Sequence, residues 1–356
     1  MKFVHIADMH FDTSFSQMNN SNLGILRRLD QRKIFRKIID FIKDNEIEYL
    51  FIAGDLYEHK FIRESTIEYI NNLFKEISNT KVFITPGNHD PYLKNSFYSK
   101  YNWNNNVYIF GPSISVVNTE DVNIYGYGFN DFYYTNSEIE NFELEDKNKI
   151  NILITHGTLN GTNNTERQYN AIQRSALEKI GFDYVALGHI HKSNYTKEEH
   201  IVYPGSTIAI GFDEEGKHGM VVGNIDEEGL QTEFIPLDES EFKVLEVDVG
   251  QFNSADELIE HLNLIYLNEK DFYEIILVGK RSFEIDMYNL KKVITRQNII
   301  KYKNLTKLNY NIQEISNETT LKGLFVQEIM SRMNDENYDK EILENALEIG
   351  LEILEK

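Results

Sequence analysis

Five short apolar runs in this chain each end on an Asp, Asn or His set beside a small residue or a second polar ligand. Phe3-Val4-His5-Ile6-Ala7 leads into Asp8-Met9-His10, and Tyr49-Leu50-Phe51-Ile52-Ala53 leads into Gly54-Asp55. Val82-Phe83-Ile84-Thr85 precedes Gly87-Asn88-His89-Asp90, and Ile152-Leu153-Ile154-Thr155 precedes His156-Gly157. The last run, Tyr184-Val185-Ala186-Leu187, leads into Gly188-His189-Ile190-His191. Apolar runs of this length bounded by glycine read as buried strands. The segments between them read as helices, which predicts an α/β fold with polar residues gathered past the carboxyl ends of its strands. The rim assembled in this way carries carboxylates, an amide and several imidazoles, an inventory suited to two divalent cations.

At 356 residues the chain exceeds the comfortable size of one core, so two domains with an appendage are expected. It has no cysteine, which excludes disulfides and thiolate zinc sites and leaves oxygen and nitrogen as the metal ligands. The first apolar run is broken by His5, Asp8 and His10, unlike a signal peptide. No stretch approaches the ~18 uninterrupted apolar residues of a membrane span. A cytoplasmic protein with no membrane contact is expected. The net charge of −21 argues against a protein that coats nucleic acid indiscriminately. Charge is unevenly placed, however: Lys280 to Lys307 holds eight basic and two acidic residues, a local +6, whereas Leu308 to Lys356 is locally −7. The basic run is either a solvated face of an αβ unit or a contact for phosphates.

Residues 1–237 alternate strand-like and helical segments. The clearest helix spans Leu23–Asn45, with apolar Leu26, Leu29, Ile34, Ile38 and Ile42 and a basic stripe of Arg28, Arg32 and Arg36. Ser65–Ile77 and Gln168–Ile180 read as two more, the second ended by Gly181. A boundary falls near Pro236–Glu241. Residues 242–310 then read as strands Phe242–Val249, Phe272–Val278 and Ile299–Leu308 with helices Ser254–Leu267 and Met287–Thr295, a small α+β domain. Two helices close the chain, Glu318–Met333 and Tyr338–Glu355. The last is apolar on two faces (Leu343, Leu347, Leu351, Leu354 and Ile342, Ala346, Ile349, Ile353), so its hairpin mate alone cannot cover it. It docks either on its own domain or in a partner's groove.

The order Asp-x-His, Gly-Asp, Gly-Asn-His-Asp, His, Gly-His-x-His resembles the calcineurin-like metallophosphoesterases. Within them the chain resembles the SbcD-type DNA repair nucleases, and particularly the shorter YhaO-like exonucleases of Gram-positive bacteria. Gly54-Asp55-Leu56-Tyr57, Gly87-Asn88-His89-Asp90-Pro91, Trp103 before Val107-Tyr108-Ile109-Phe110, Tyr203-Pro204-Gly205-Ser206 and Phe212-Asp213-Glu214-Glu215-Gly216 carry that likeness, which covers residues 1 to about 235. It implies a four-layer αββα nuclease core (1–237), a small α+β capping domain that contacts DNA (242–310) and a C-terminal helical hairpin for partner binding (318–356).

The resemblance assigns Asp8, His10, Asp55 and His191 to one metal and Asp55, Asn88, His156 and His189 to the other, with manganese as the ion and Asp55 bridging. Elementary chemistry agrees, because a carboxylate is the one side chain in the set able to bridge two cations. Two ions about 3.5–4 Å apart lower the pKa of a water and clamp the attacking and leaving oxygens of an in-line displacement. By the same resemblance His89 faces the phosphate, as transition-state stabiliser or proton donor to a leaving 3′ oxygen, and we expect Asp90 to orient its ring. One departure stands out: some relatives carry a His three residues after the bridging Asp, where this chain has Glu58. A carboxylate there is expected to repel phosphate, which leaves the exonuclease polarity open. His5 is expected in the core.

The basic candidates for DNA contact are Lys280, Arg281, Lys291, Lys292, Arg296, Lys301 and Lys303. The resemblance also implies an SMC-like, ABC-type ATPase of the SbcC or YhaN kind as partner of the helical pair, and a homodimer. The expected function is a two-metal DNA exonuclease of double-strand-break repair, with single-strand endonuclease activity alongside. Two alternatives stand: a calcineurin-like phosphodiesterase of small substrates, and a non-catalytic scaffold that positions an ATPase on DNA.

Overall fold

Successive side chains along a strand point to opposite faces, and here the two faces meet different partners. The computed structural model describes residues 1–356 apart from 16–17, 19–20, 134–136, 141, 161–168, 336 and 355–356. Two compact units divide the chain: Met1–Val244, Leu267–Glu274 and Asn298–Lys301 form the first, and Leu245–Tyr266, Ile275–Gln297 and Tyr302–Lys356 form the second.

The first unit opens with β1 (Lys2–Ile6), α1 (Ser21–Asp44), β2 (Tyr49–Ala53), α2 (Glu64–Glu76), β3 (Lys81–Thr85), the single turn α3 (Phe97–Lys100) and β4 (Val107–Ile109). It continues with β5 (Ser115–Asn118), β6 (Val122–Tyr127), β7 (Ile150–His156), two short strands β8 (Thr158–Leu159) and β9 (Ala171–Ile172), and α4 (Arg174–Ile180). Then come β10 (Tyr184–Gly188), β11 (Ile201–Val202) and a hairpin of β12 (Gly219–Asp226) and β13 (Gly229–Pro236). One sheet has the order β13-β12-β1-β2-β3-β4 and a second the order β11-β10-β7-β6-β5. Strands β1 to β4 are parallel to one another, as are β6, β7, β10 and β11.

Phe3, Phe51 and Phe83 of the first sheet share a buried cluster with Ile124, Ile152, Ile154 and Tyr184 of the second. The opposite face of the first sheet (Val4, Ile6, Leu50, Ile52, Val82, Ile84) packs with Ile34, Phe35 and Ile38 of α1 and Ile67, Ile70 and Phe74 of α2. The outer face of the second sheet (Tyr125, Leu153, Val185) packs with Leu177 of α4 and Phe182. These are the four α-β-β-α layers expected. Each fully buried apolar side chain contributes about 1.5–3 kcal/mol, so the frame behind the strand ends is held by packing on both faces of both sheets.

Three helix expectations need correction. Leu26 and Leu29 of α1 are exposed, because the buried position on that turn belongs to Arg27. The Arg27 guanidinium donates to the Asp238 carboxylate and to the Ala209 carbonyl, so its charge is paired where it is buried. The expected helix from Gln168 begins only at Arg174; Ala171–Ile172 instead pairs with Thr158–Leu159, and Gln168 lies outside the described residues. Gly181 ends α4 as expected, in a left-handed conformation with φ 85°. The last two helices begin later than expected, at Leu321 and Lys340. At Leu321 the reason is that the Thr320 hydroxyl accepts the Gly323 N–H and so fixes the start of that helix.

After β13 the chain runs β14 (Phe242–Asp248), α5 (Ala255–Leu264), β15 (Phe272–Val278), β16 (Lys280–Arg281), α6 (Met287–Val293), β17 (Ile299–Asn304) and β18 (Lys307–Leu308). It closes with α7 (Ile312–Ser316), α8 (Leu321–Met333) and α9 (Lys340–Leu354). The expected strand Ile299–Leu308 is interrupted at Leu305, where the Asn304 side chain accepts from Thr306 and forms a turn. In the hairpin, Leu343, Leu347 and Leu351 of α9 are buried with Val326 and Ile329 of α8. The other face of α9 exposes Ile342, Ile349 and Ile353 at 65, 59 and 65%. Among the described residues no helix is long and apolar enough to cross a membrane.

Candidate metal centre

All seven expected ligands come together at the strand ends of the first unit. Asp8 and His10 follow β1, Asp55 follows β2, Asn88 follows β3, His156 is the last residue of β7, and His189 and His191 follow β10. Four of them hold left-handed backbone, with φ 51° at Asp8, 48° at His10, 52° at Asp55 and 105° at His189. Such conformations cost about 1–3 kcal/mol each for a residue with a side chain. They are pinned by hydrogen bonds from Asp8 N–H to Gly54 C=O at 3.2 Å, His10 N–H to Asp55 C=O at 2.9 Å, and His189 N–H to the Asp8 carboxylate at 3.0 Å. Gly54 and Gly87 leave the space required: a Cβ on Gly54 would overlap His156, and one on Gly87 would overlap Asp55.

Asp55 sits between two groups of imidazoles. Its Oδ2 lies 3.3 Å from His156 Nε2 and 3.7 Å from His10 Nε2, and its Oδ1 accepts the His89 N–H at 2.8 Å. On one side, His10 Nε2 faces His191 Nε2 at 3.1 Å, with Asp8 Oδ1 4.0 Å from the latter. On the other, the Asn88 amide oxygen lies 3.1 Å from His156 Nε2 and 3.2 Å from His189 Nδ1. Asp8, His10 and His191 form one cluster with metal-ligand spacing, and Asp8, Asp55 and His156 form another.

Hydrogen bonds behind the rings decide which nitrogens are free. His10 Nδ1 is 2.8 Å from Glu58 Oε1, and His191 Nδ1 is 2.6 Å from Glu214 Oε1. An Nδ1–H donated to each carboxylate leaves two Nε2 lone pairs pointing at each other, an arrangement that needs a cation or a proton between them. Burial opposes charge on the His191 ring, but the Glu214 hydrogen bond and the Asp8 charge push its pKa up to about 9. Without metal, a proton can therefore occupy the place of the ion. His156 is likewise held by the Ala53 carbonyl at 2.9 Å and, against burial, pushed up to about 9 by Asp55. Burial and the neighbouring His156 lower His189 to about 3, so it is a neutral ligand. The donor set thus fits two divalent cations.

His89 is half-exposed, and its Nδ1 lies 3.0 Å from Glu58 Oε2. Burial works against its charge, yet Glu58 and Asp55 raise it to about 9. The expectation that Asp90 orients this ring is overturned. The Asp90 carboxylate is buried and accepts N–H groups of Gly87 at 2.6 Å, Leu56 at 2.7 Å and Asp55 at 3.1 Å, together with the Tyr98 hydroxyl at 2.6 Å. It ties the turn after β2 to the turn after β3. The orienting carboxylate is Glu58, which also backs His10. Its charge is spent on two imidazoles, so the expected repulsion of phosphate is offset.

Sequence reading gave no role to Glu214 or His218. Glu214 also accepts the Ser206 hydroxyl at 3.1 Å, and His218 Nδ1 lies 2.8 Å from the same hydroxyl. The signal for Glu214 was its place in the Phe212–Gly216 segment. His5 is buried against the Tyr184 hydroxyl at 2.9 Å, a core residue.

The basic candidates divide. Arg296 caps α5 by donating to the carbonyls of Asn263 at 3.1 Å and Ile265 at 2.9 Å. Arg281 donates to the Phe283 carbonyl at 2.7 Å, and Lys301 pairs with Glu274 at 3.4 Å. Lys280, Lys291, Lys292 and Lys303 are exposed.

The profile of the family described as calcineurin-like phosphoesterase matches residues 1–193. A metallophosphoesterase named YhaO in Bacillus subtilis is 24% identical over 272 residues, covering 73% of this chain and 66% of that protein, slightly under two thirds of its length. The protein named as the D component of nuclease SbcCD in Staphylococcus epidermidis is 27% identical over 330 residues, covering 82% of this chain and 83% of that protein.

Proposed function

The chain belongs to the calcineurin-like phosphoesterase family, and from that premise we propose that it is a manganese-dependent DNA phosphodiesterase, the exonuclease component of a double-strand-break repair assembly. The observation that carries the reading is the Asp55 carboxylate set between two imidazole groups, with His89 beside it. Asp8, His10 and His191 on one side and Asn88, His156 and His189 on the other, with Asp55 between them, would hold two divalent ions, which would supply Lewis-acid activation of phosphate and of water. Glu58 holds His89 by Nδ1 and leaves Nε2–H to donate to a phosphate oxygen or to the leaving 3′ oxygen. Glu214, Glu58 and the Ala53 carbonyl keep the metal-facing nitrogens in one tautomer.

DNA as substrate is supported by the relative named as part of a nuclease, which this chain matches over most of its length, and by the exposed Lys280, Lys291, Lys292 and Lys303, suited to phosphates. The test is end-labelled duplex DNA with manganese, set beside small phosphodiesters. Release of nucleotides from DNA that falls about 100-fold or more in His89→Ala, with manganese binding retained, supports the reading. Hydrolysis of the small esters alone overturns it in favour of a small-substrate enzyme.

The partner we propose for α8 and α9 is a coiled-coil segment of an SMC-like ATPase, whose apolar seam suits the exposed Ile342, Ile349 and Ile353. Deleting the residues after Asn317 is expected to abolish co-purification with that ATPase and to leave manganese binding intact. Retained association contradicts it.

A further inference from the structure

Beside the metal ligands a row of aromatic rings runs from the centre out to solvent, and nothing in the two-metal chemistry uses it. Its inner member is Tyr169, whose ring centroid lies 4.8 Å from that of His189. Tyr169 is held next to the His156 strand, where its carbonyl accepts the Thr158 N–H at 2.9 Å. Tyr133 stacks on Tyr169 at 6.4 Å with the planes 24° apart, and is itself 65% exposed. Phe129 is fully buried behind them, its ring 5.6 Å from His156 and 6.5 Å from Tyr169. Phe132, 40% exposed, packs edge-on against His59 at 5.7 Å, and the His59 N–H donates to the His89 carbonyl at 2.9 Å. The two exposed rings are thus consecutive residues, each one residue removed from the centre: Tyr133 through Tyr169 to His189, and Phe132 through His59 to His89.

Large aromatic rings are expensive to leave in water, and a ring face is the surface on which a nucleobase stacks whatever its sequence. A base is joined to its phosphate through a single sugar, so a phosphate at the metals brings its base to a ring that touches a metal ligand. Bases inside a duplex have both faces covered by their neighbours; only an unpaired or frayed strand offers one. We infer that Phe132, Tyr133 and Tyr169 form a stacking wall for unpaired nucleobases of the strand being cleaved. The inference rests on the proposed nuclease reading and deepens it: the substrate at the metals is a single strand, separated from its complement before hydrolysis.

The experiment compares a short oligothymidylate with an abasic sugar–phosphate strand of equal length, using the full-length protein with manganese. The wild type is expected to show a KM about tenfold lower for the strand that carries bases. Phe132→Ala/Tyr133→Ala is expected to raise the oligothymidylate KM about tenfold, to that of the abasic strand, with kcat little changed. Tyr133→Trp restores the preference, and Tyr266→Ala, a still more exposed tyrosine of the second unit, leaves it untouched. Equal KM values for oligothymidylate in the wild type and the double variant overturn the wall. A cyclic mononucleotide as sensitive to the double variant as the strand overturns the assignment to a strand. If duplex ends are cleaved and neither oligonucleotide is, the single-strand assignment is overturned; if duplex DNA is not cleaved either, the nuclease reading is what fails, and binding of the two strands by fluorescence anisotropy still judges the wall.

Discussion

His10 and His191, at one end of the metal centre, each lean on a carboxylate, whereas His156, at the other end, leans on the Ala53 carbonyl and shares the Asn88 amide with His189. Both ends share Asp55. A carboxylate behind an imidazole raises the basicity of its metal-facing nitrogen and fixes its tautomer more firmly than a neutral carbonyl does. Asp8 lies 4.0 Å from a ring nitrogen of both His191 and His156, so the charge that distinguishes the first end is that of Glu58 and Glu214. The difference bears on the proposed pair of ions: a cation beside His10 and His191 is expected to be held more tightly than one beside His156 and His189.

The largest effect should come from the residue the two ends share. Asp55→Asn is expected to lose both ions and all hydrolysis, read by manganese titration and by nucleotide release, with circular dichroism to confirm folding. One ion retained at full affinity would mean that the ends are independent. Next comes the backing itself. Glu214→Gln should weaken one ion about 10–100-fold and spare the other, as followed by calorimetry or manganese electron paramagnetic resonance. Glu58→Gln should do the same and also lower kcat, because one amide oxygen cannot serve both His10 and His89. Equal weakening of both ions in Glu214→Gln would break the comparison.

The smallest effect is that of pH. In the metal-free protein His191 and His156 are pushed up to about 9, so each ring holds a proton at neutral pH that an ion must displace. The sign follows directly: a raised pKa favours the protonated, non-ligating ring below it, so metal affinity rises with pH and levels off above about 9. Each end should gain about tenfold per pH unit between pH 7 and 8 for the proton it releases. A slope confined to one ion would show that only one of the two rings is charged.

Much of this was legible in the residues alone, for a physical reason. Strands such as Tyr49–Ala53 and Tyr184–Gly188 are buried on both faces, so their apolar runs are unbroken and their ends are marked by the polar residues that follow. Other features depend on contacts between residues far apart in the chain. Arg27 is buried because Asp238, 211 positions away, neutralises it. Glu58 meets His10 across 48 positions and Glu214 meets His191 across 23. Asp90 misled because it adjoins His89 in the chain, while the turn directs its carboxylate back to the end of β2. Adjacency along a turn is a poor guide to which side chains touch.

The claim beneath all of this is that Asp55 holds two cations at once. Anomalous diffraction from crystals soaked in manganese tests it most directly. We predict two peaks about 3.5–4 Å apart, both within bonding distance of the Asp55 carboxylate, the one beside His10 and His191 at the higher occupancy. A single peak, or two that do not share Asp55, would contradict the account.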